Sequence, residues 1–337
     1  MKIAINGFGR IGRQFLKIAL NDPTLEIVAI NDLGELSNLA YLLEFDSVYR
    51  GYDKKVETKD GNLVVDGKII KFLQEPEPMK LPWRDLGIDV VVECTGRFTS
   101  SDTAKVHLDA GAKRVVISAP AKDDATPTCT PNVNVSALTG SKITSNASCT
   151  SNSIIPIASI LGAKPGIKYS LINTVHGYTA EQSLVDGPMP KLHKDFRRGR
   201  AAAQNIVPTT SGAASAVGKT IPSMVGKFDG MALRVPVPAG SILDFTFIAE
   251  NKTSVEEINA ILIEASGKPE WQGIFTVTDK PIVSSDILGS PYGSIVDLNL
   301  TKVVGGELVK VMAWYDNEWG YASMLVKHVL SLKDLLD

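Results

Sequence analysis

An α/β protein of two domains is predicted for this chain, a doubly wound parallel sheet followed by an α+β domain with a mixed, largely antiparallel sheet. Three observations carry the prediction. The 337 residues would fill about two domains of ordinary size. Short β-branched runs alternate with helical patterns through the first half, the signature of βαβ units on a parallel sheet. After about residue 148 the strands lengthen and follow one another in antiparallel fashion.

In chain order, Lys2 to Ile5, Glu26 to Ile30, Val90 to Val92 and Arg114 to Ile117 read as buried parallel strands. Ile11 to Leu20 and Thr103 to Ala110 have the amphipathic spacing of the helices between them. A hairpin is expected at Leu63 to Ile70, where Asp66-Gly67 supplies the two positive-φ positions of a tight primed turn. The second domain's strands are Lys168 to Val175, Gly230 to Pro236, Ile242 to Ala249, Ile295 to Leu300 and Glu307 to Tyr315. Residues 177 to 212 have no clear period and carry the basic run from Lys191 to Arg200; loops of that length in compact domains are usually functional. Trp319 to Leu336 has helical spacing and packs back on the first domain. The expected boundaries are therefore 1–148 completed by a C-terminal helix at 317–337, and 149–316.

Hydrophobic residues make up 44% and charged residues 21% of the chain, enough to build a core and remain dispersed in water. A net charge of -2 gives no overall field to hold nucleic acid or an anionic membrane, so neither is an expected partner, while small anions are. The longest apolar stretch, Ile154 to Ala163, is interrupted by Pro156 and Ser159 and is far shorter than the roughly 20 residues a bilayer requires. The chain opens on a strand-turn-helix pattern without the features of a signal peptide. Cys94, Cys129 and Cys149 have no CxxC spacing and leave one unpaired in any disulfide scheme, which argues for a reducing, cytoplasmic setting. Four histidines without metal-ligand spacing imply no metal site.

Gly7-Phe8-Gly9-Arg10-Ile11-Gly12 follows the first strand and opens the first helix, the context of a dinucleotide fingerprint in a Rossmann-type domain. Gly7 permits the turn, Gly9 lets backbone approach a pyrophosphate, and Gly12 allows close helix-strand packing, while free N–H groups and the helix dipole hold the anion. The second strand ends in Asn31-Asp32, where a carboxylate accepts from both ribose hydroxyls and repels a 2′-phosphate, which favours NAD over NADP.

Cys149 precedes an apolar helical stretch starting near Ser151, so its thiol meets the positive end of a helix, which lowers a cysteine pKa and makes a nucleophile. The competing reading is a buried structural cysteine, which suits Cys94; Cys129 has no assignment. A nucleophilic cysteine needs a base, and His176, ending a strand at the entry to the long loop, is the best candidate. His107 and His328 lie on amphipathic helices and His193 in the basic loop, each more simply read as surface or packing.

Six segments, Asn6 to Arg13, Ser145 to Asn152, His176 to Thr179, Asp195 to Arg200, Gly230 to Pro236 and Trp314 to Tyr321, together resemble the phosphorylating glyceraldehyde-3-phosphate dehydrogenases, in family order across nearly the whole chain. The resemblance implies an NAD-binding domain, a catalytic domain and a homotetramer. It also implies that the Cys149 thiolate attacks the aldehyde of glyceraldehyde 3-phosphate with His176 as base, and that inorganic phosphate then releases the thioester as an acyl phosphate. By similarity Thr179 and Arg234, helped by Arg198, hold the substrate phosphate. Ser148, Ser211 and Gly212 receive inorganic phosphate, and Thr150 lines the site. For the cofactor the resemblance carries over to Gly7, Phe8, Gly9, Arg10, Ile11, Gly12, Asn31, Asp32, Thr95, Gly96 and Ser118, with Asn317 on the nicotinamide amide and Tyr321 supporting the ring.

Three departures from the family pattern involve four positions. Ser153 stands where many members have a second cysteine, Ser211 keeps the hydroxyl of the usual Thr, and Lys191-Leu192 replaces a Leu-Pro pair that often faces the adenosine ribose. Two rival readings are an erythrose-4-phosphate dehydrogenase, against which Thr179 argues, and a non-catalytic RNA-binding relative, against which Cys149 and His176 argue.

Overall fold

A computed structural model describes residues 1–189 and 195–336; Lys191, Leu192 and His193 lie outside the described residues. The chain divides into two compact units, Met1–Ala147 with Leu325–Asp337, and Ser148–Met324. The second division falls inside the terminal helix, later than the sequence pattern suggests.

In the first unit the chain runs β1 (Lys2–Asn6), α1 (Arg10–Ala19), β2 (Glu26–Asn31), α2 (Leu36–Glu44), the short pair β3 (Phe45–Asp46) and β4 (Arg50–Gly51), then β5 (Val56–Lys59), β6 (Asn62–Val65), β7 (Lys68–Leu73) and α3 (Trp83–Leu86). It continues through β8 (Val90–Glu93), α4 (Ser101–Asp109), β9 (Arg114–Ile117), α5 (Ala137–Gly140) and β10 (Ile143–Ser145). The sheet order is β10-β9-β8-β1-β2-β7-β6-β5, parallel from β10 to β7 and antiparallel beyond. The strand order reverses beside β1, which puts a crevice at the carboxyl ends of β8, β1 and β2.

The central strands are covered on both faces, so they read as continuous apolar runs: Val90, Val91 and Val92 are fully buried. Asp66 and Gly67 adopt φ of 48° and 77° in the expected hairpin turn. Asp60-Gly61, at 49° and 73°, makes a second turn of the same kind and adds β5, whose polar Val-Glu-Thr-Lys sequence gives no strand signal of its own. Leu325, Val326, Val329 and Leu332 join Phe8, Phe15, Ile30 and Cys129 in one apolar cluster, which is how the chain's last helix belongs to this unit.

The second unit opens with α6 (Cys149–Ala163) and β11 (Ile167–Gly177), followed by β12 (Val207–Thr210), α7 (Ala213–Thr220), β13 (Phe228–Val235) and β14 (Ser241–Ala249). Then come α8 (Val255–Ser266), β15 (Phe275–Thr278), β16 (Ser294–Val304), β17 (Leu308–Tyr315) and α9 (Trp319–Leu330), the helix that crosses the division. Its sheet, ordered β12-β13-β11-β14-β17-β16-β15, is mixed: β11 pairs parallel with β13 and antiparallel with β14. Ser241, Leu243, Phe245, Phe247 and Ala249 alternate inward along β14. The aperiodic stretch from 177 to 212 contains one strand the sequence pattern misses, β12, an edge strand in which Pro208 is tolerated. Among the described residues no helix is long and apolar enough to cross a membrane.

Candidate active site

The thiol is placed by a change of backbone hand. β10 ends at Ser145, Ala147 takes φ 56°, and Ser148 in extended conformation caps a helix beginning at Cys149, two residues before the expected start. A left-handed alanine costs about 1–2 kcal/mol, strain that burial of the residue holds in place. The Ser148 hydroxyl accepts from Ser151 N–H at 3.1 Å as the N-cap and lies 2.8 Å from Ser151 Oγ.

His176, near the end of β11 and 2% exposed, brings Nε2 to 3.3 Å from Cys149 Sγ. Its tautomer follows from the other nitrogen. Nδ1 lies 2.6 Å from the Gly177 carbonyl oxygen, and two bare acceptors would repel at that distance, so Nδ1 carries the hydrogen. Arg234 Nη1 is 2.9 Å from Nδ1, but its two hydrogens have oxygen acceptors, Thr179 Oγ1 at 3.1 Å and the Gly177 carbonyl at 3.3 Å. Nε2 therefore presents a lone pair to the thiol.

Burial pushes the Cys149 thiol up, opposed by the Arg234 charge and by hydrogen bonds from Thr150. This corrects the expectation of a lowered pKa from the helix N-terminus, because desolvation outweighs it. Burial, with Arg234 next, pushes His176 down to about 3. Each group alone resists charge, yet moving the proton from Sγ to Nε2 leaves the net charge unchanged and puts the anion beside Arg234.

Around this pair the predicted anion-binding residues fall into two groups. Thr179 and Arg234 are bonded to each other, and Arg234 Nε is buried without a partner. Arg198 joins them through Glu181, which it meets at 2.8 Å, and donates from Nε to Thr209 Oγ1 at 3.0 Å. Ser211 and Gly212 stand at the entry to α7, where Ser211 Oγ accepts from Ala213 N–H at 3.3 Å. Thr150 is bonded to Tyr315 Oη at 2.9 Å, which reaches Thr174 at 2.6 Å, and the Tyr315 ring lies edge-on to His176 at 5.9 Å. Sequence reasoning misses Glu181, Thr209 and Tyr315; only Tyr315 lies within a quoted segment, and their roles depend on neighbours distant in sequence.

In the first unit, Gly7, Gly9, Asn31, Asp32 and Thr95 line a cleft of about 280 Å³ at the crevice. Gly7 has φ 96°, and a Cβ there would come within 2.7 Å of Thr95 N; a Cβ on Gly12 would come within 2.2 Å of the Gly7 oxygen. Both positions require glycine. Asp32 is held by the N–H groups of Phe8 at 2.6 Å and Gly34 at 2.8 Å. The Phe8 side chain is buried in the core and Ile11 packs against it, so the side chains expected at a cofactor are structural and only backbone is offered. Arg10 is similarly engaged, with Asp46 at 2.8 Å.

Gly96 turns at φ 69°, and Ser118 Oγ donates to the Glu93 carbonyl at 2.9 Å. In the second unit Asn317 Oδ1 accepts from Gly240 N–H at 2.9 Å and Ser241 Oγ at 3.0 Å, leaving its buried Nδ2 without a partner, and Tyr321 is buried. Burial pushes the thiols of Cys94 and Cys129 up to about 12. Among the described residues no group of three or more His, Cys, Asp or Glu side chains is arranged to hold a metal ion.

Comparison with known proteins bears on both units. The family model described as "Glyceraldehyde 3-phosphate dehydrogenase, NAD binding domain" matches residues 1–101, and that described as "Glyceraldehyde 3-phosphate dehydrogenase, C-terminal domain" matches residues 148–317. The chain is 49% identical over 330 residues to the glyceraldehyde-3-phosphate dehydrogenase of Clostridium acetobutylicum, covering 97% of this chain and 96% of the relative. Identity to the enzyme of the same name from Thermotoga maritima is 50% over 328 residues, with 96% and 97% covered. With matches of this length and identity on both units, the chain belongs to the glyceraldehyde-3-phosphate dehydrogenase family, and its N-terminal domain is the family's NAD-binding domain.

Proposed function

We propose that this chain oxidises D-glyceraldehyde 3-phosphate and joins it to inorganic phosphate as 1,3-bisphosphoglycerate, with NAD as hydride acceptor, the step shared by glycolysis and gluconeogenesis. The observation that carries the reading is Cys149 Sγ at 3.3 Å from the unprotonated Nε2 of His176, beside the Arg234 guanidinium. His176 takes the thiol proton as sulfur adds to the aldehyde carbon, returns it to the new oxygen, and later holds the hydroxyl proton as the carbonyl re-forms. NAD, when bound, supplies the acceptor for the hydride. What remains on Cys149 is a thioester; inorganic phosphate attacks its carbonyl, the C–S bond breaks to return the Cys149 thiolate, and the acyl group leaves as the acyl phosphate.

Both substrates bring a phosphate, and the chain offers donors for two. Thr179, Arg234 and Arg198 take the substrate phosphate, a role supported by the buried, unpartnered Nε of Arg234. Ser148, Ser211 and Gly212 take inorganic phosphate, and Thr150 lines the site. In this reading the unit Met1–Ala147 with Leu325–Asp337 is the NAD-binding domain and the unit Ser148–Met324 the catalytic domain. Gly7, Gly9 and Gly12 with the backbone of Phe8, Arg10 and Ile11 face the pyrophosphate. Asn31 and Asp32 take the adenosine ribose, and Thr95, Gly96 and Ser118 the cleft wall. The unpaired Nδ2 of Asn317 suits an amide carbonyl such as that of nicotinamide, and Tyr321 supports the ring.

The working form is a cytoplasmic homotetramer. Tyr169, Leu171, Met231, Ile248 and Leu308 are exposed and share one face of the second unit's sheet, an apolar surface fit for a subunit contact. NADH formation from glyceraldehyde 3-phosphate, followed with and without phosphate, tests the reading. Turnover should depend on phosphate; strict independence of it contradicts the proposal.

A further inference from the structure

Beneath the cleft of the first unit lies a buried polar relay that the reaction steps do not use. Glu93, at the end of β8, is 1% exposed and His107, on α4, is fully buried, so His107 is neither a surface residue nor simple apolar packing. Glu93 Oε1 accepts from the Thr95 N–H at 2.7 Å and from the Thr95 hydroxyl. Oε2 accepts from Asn6 Nδ2 at 2.6 Å and lies 3.0 Å from His107 Nε2. Those contacts fill the lone-pair sites of a carboxylate. Trp83 Nε1, which can only donate, is 3.2 Å from His107 Nδ1, so the ring's hydrogen sits on Nε2 and points at Glu93. From Asn6 the relay continues: Asn31 Nδ2 donates to Asn6 Oδ1 at 2.8 Å, and Asn31 Oδ1 accepts from Glu75 N–H at 2.9 Å. Asn6, Asn31, Glu75 and Thr95 all line the cleft.

We propose that Glu93 and His107 are positioning residues for the dinucleotide. Trp83 sets the His107 tautomer, His107 helps orient Glu93, and Glu93 holds the ends of β1 and β8, and through Asn6 that of β2, in one arrangement. A buried acceptor with every site matched has no second orientation of equal energy, so the cleft wall is ordered before the ligand arrives. Preorganisation of that kind removes part of the ordering cost of binding. The inference rests on NAD as the cofactor.

Calorimetric titration of NAD into the full-length protein reads this without turnover. His107→Leu removes both ring nitrogens and leaves Trp83 and Glu93 unmatched, which should weaken NAD binding about tenfold. Glutamine offers an acceptor to Trp83 and a donor to Glu93, so His107→Gln should stay within about threefold of the wild type. Glu93→Gln keeps the volume but turns an amide toward Asn6 and His107, and should cost about tenfold even if His107→Leu fails to fold. Wild-type affinity in Glu93→Gln overturns the proposal, as does an equal loss in His107→Gln and His107→Leu. A wild-type protein that takes up no NAD overturns the cofactor reading on which the inference rests, and is told apart by that control.

Discussion

Cys149 Sγ and His176 Nε2 lie 3.3 Å apart, and in the proposed reading they act as thiol and base: burial penalises a charge on either one alone, while proton transfer between them leaves the net charge unchanged. His176→Asn keeps a polar group near Gly177 but removes the base, and should lower kcat by about 10²–10⁴-fold. It should also slow alkylation of Cys149 by iodoacetamide at neutral pH; an alkylation rate equal to that of the wild type would separate the thiol's reactivity from His176. Arg234 acts on the electrostatics of the pair, and the proposed reading also makes it a donor to the substrate phosphate. Arg234→Leu should therefore reduce kcat/KM for glyceraldehyde 3-phosphate by roughly 10–150-fold more than for unphosphorylated glyceraldehyde, the worth of a charge-assisted hydrogen bond. Equal losses on the two aldehydes would remove Arg234 from the phosphate site.

Elements carry these residues, and what is legible in sequence follows from how local each element's cause is. The glycine turn after β1 is readable because Gly7 and Gly12 answer backbone contacts within a few residues and one neighbouring strand. The valine run of β8 is readable because a parallel strand buried on both faces can hold little else. Glu181 and Tyr315 give no such signal, since their partners Arg198, Thr150 and Thr174 come from other segments of the chain, and an alanine at 147 does not announce its left-handed backbone. The same holds for His328 on α9, which meets Thr144 at 2.9 Å and Asn146 at 3.2 Å.

Burial lowers the His328 pKa from 6.5 to about 4. The folded chain thus binds fewer protons than the unfolded chain between those values, and stability falls as pH drops from about 6.5 toward 4. The full loss is about 3 kcal/mol from this residue. His328→Gln should show a smaller decrease in Tm between pH 7 and pH 5 than the wild type; identical decreases would contradict the assignment.

At the scale of the whole molecule, the first unit carries the glycine turn and Asp32, and the second carries Cys149, His176, Arg198 and Arg234. The exposed apolar face of the second unit's sheet suits a subunit contact, and Leu171→Glu, placed on that face, should shift sedimentation toward smaller species. Unchanged sedimentation would move the subunit contact elsewhere. The central claim is that Cys149 carries a thioester that waits for phosphate. Rapid mixing of the protein with NAD and glyceraldehyde 3-phosphate, with phosphate left out, tests it most directly when NADH is followed by absorbance and the quenched chain by mass spectrometry. The expected result is a burst of about one NADH per chain and an acyl adduct on Cys149 that phosphate discharges. No burst, or an adduct on another residue, would contradict it.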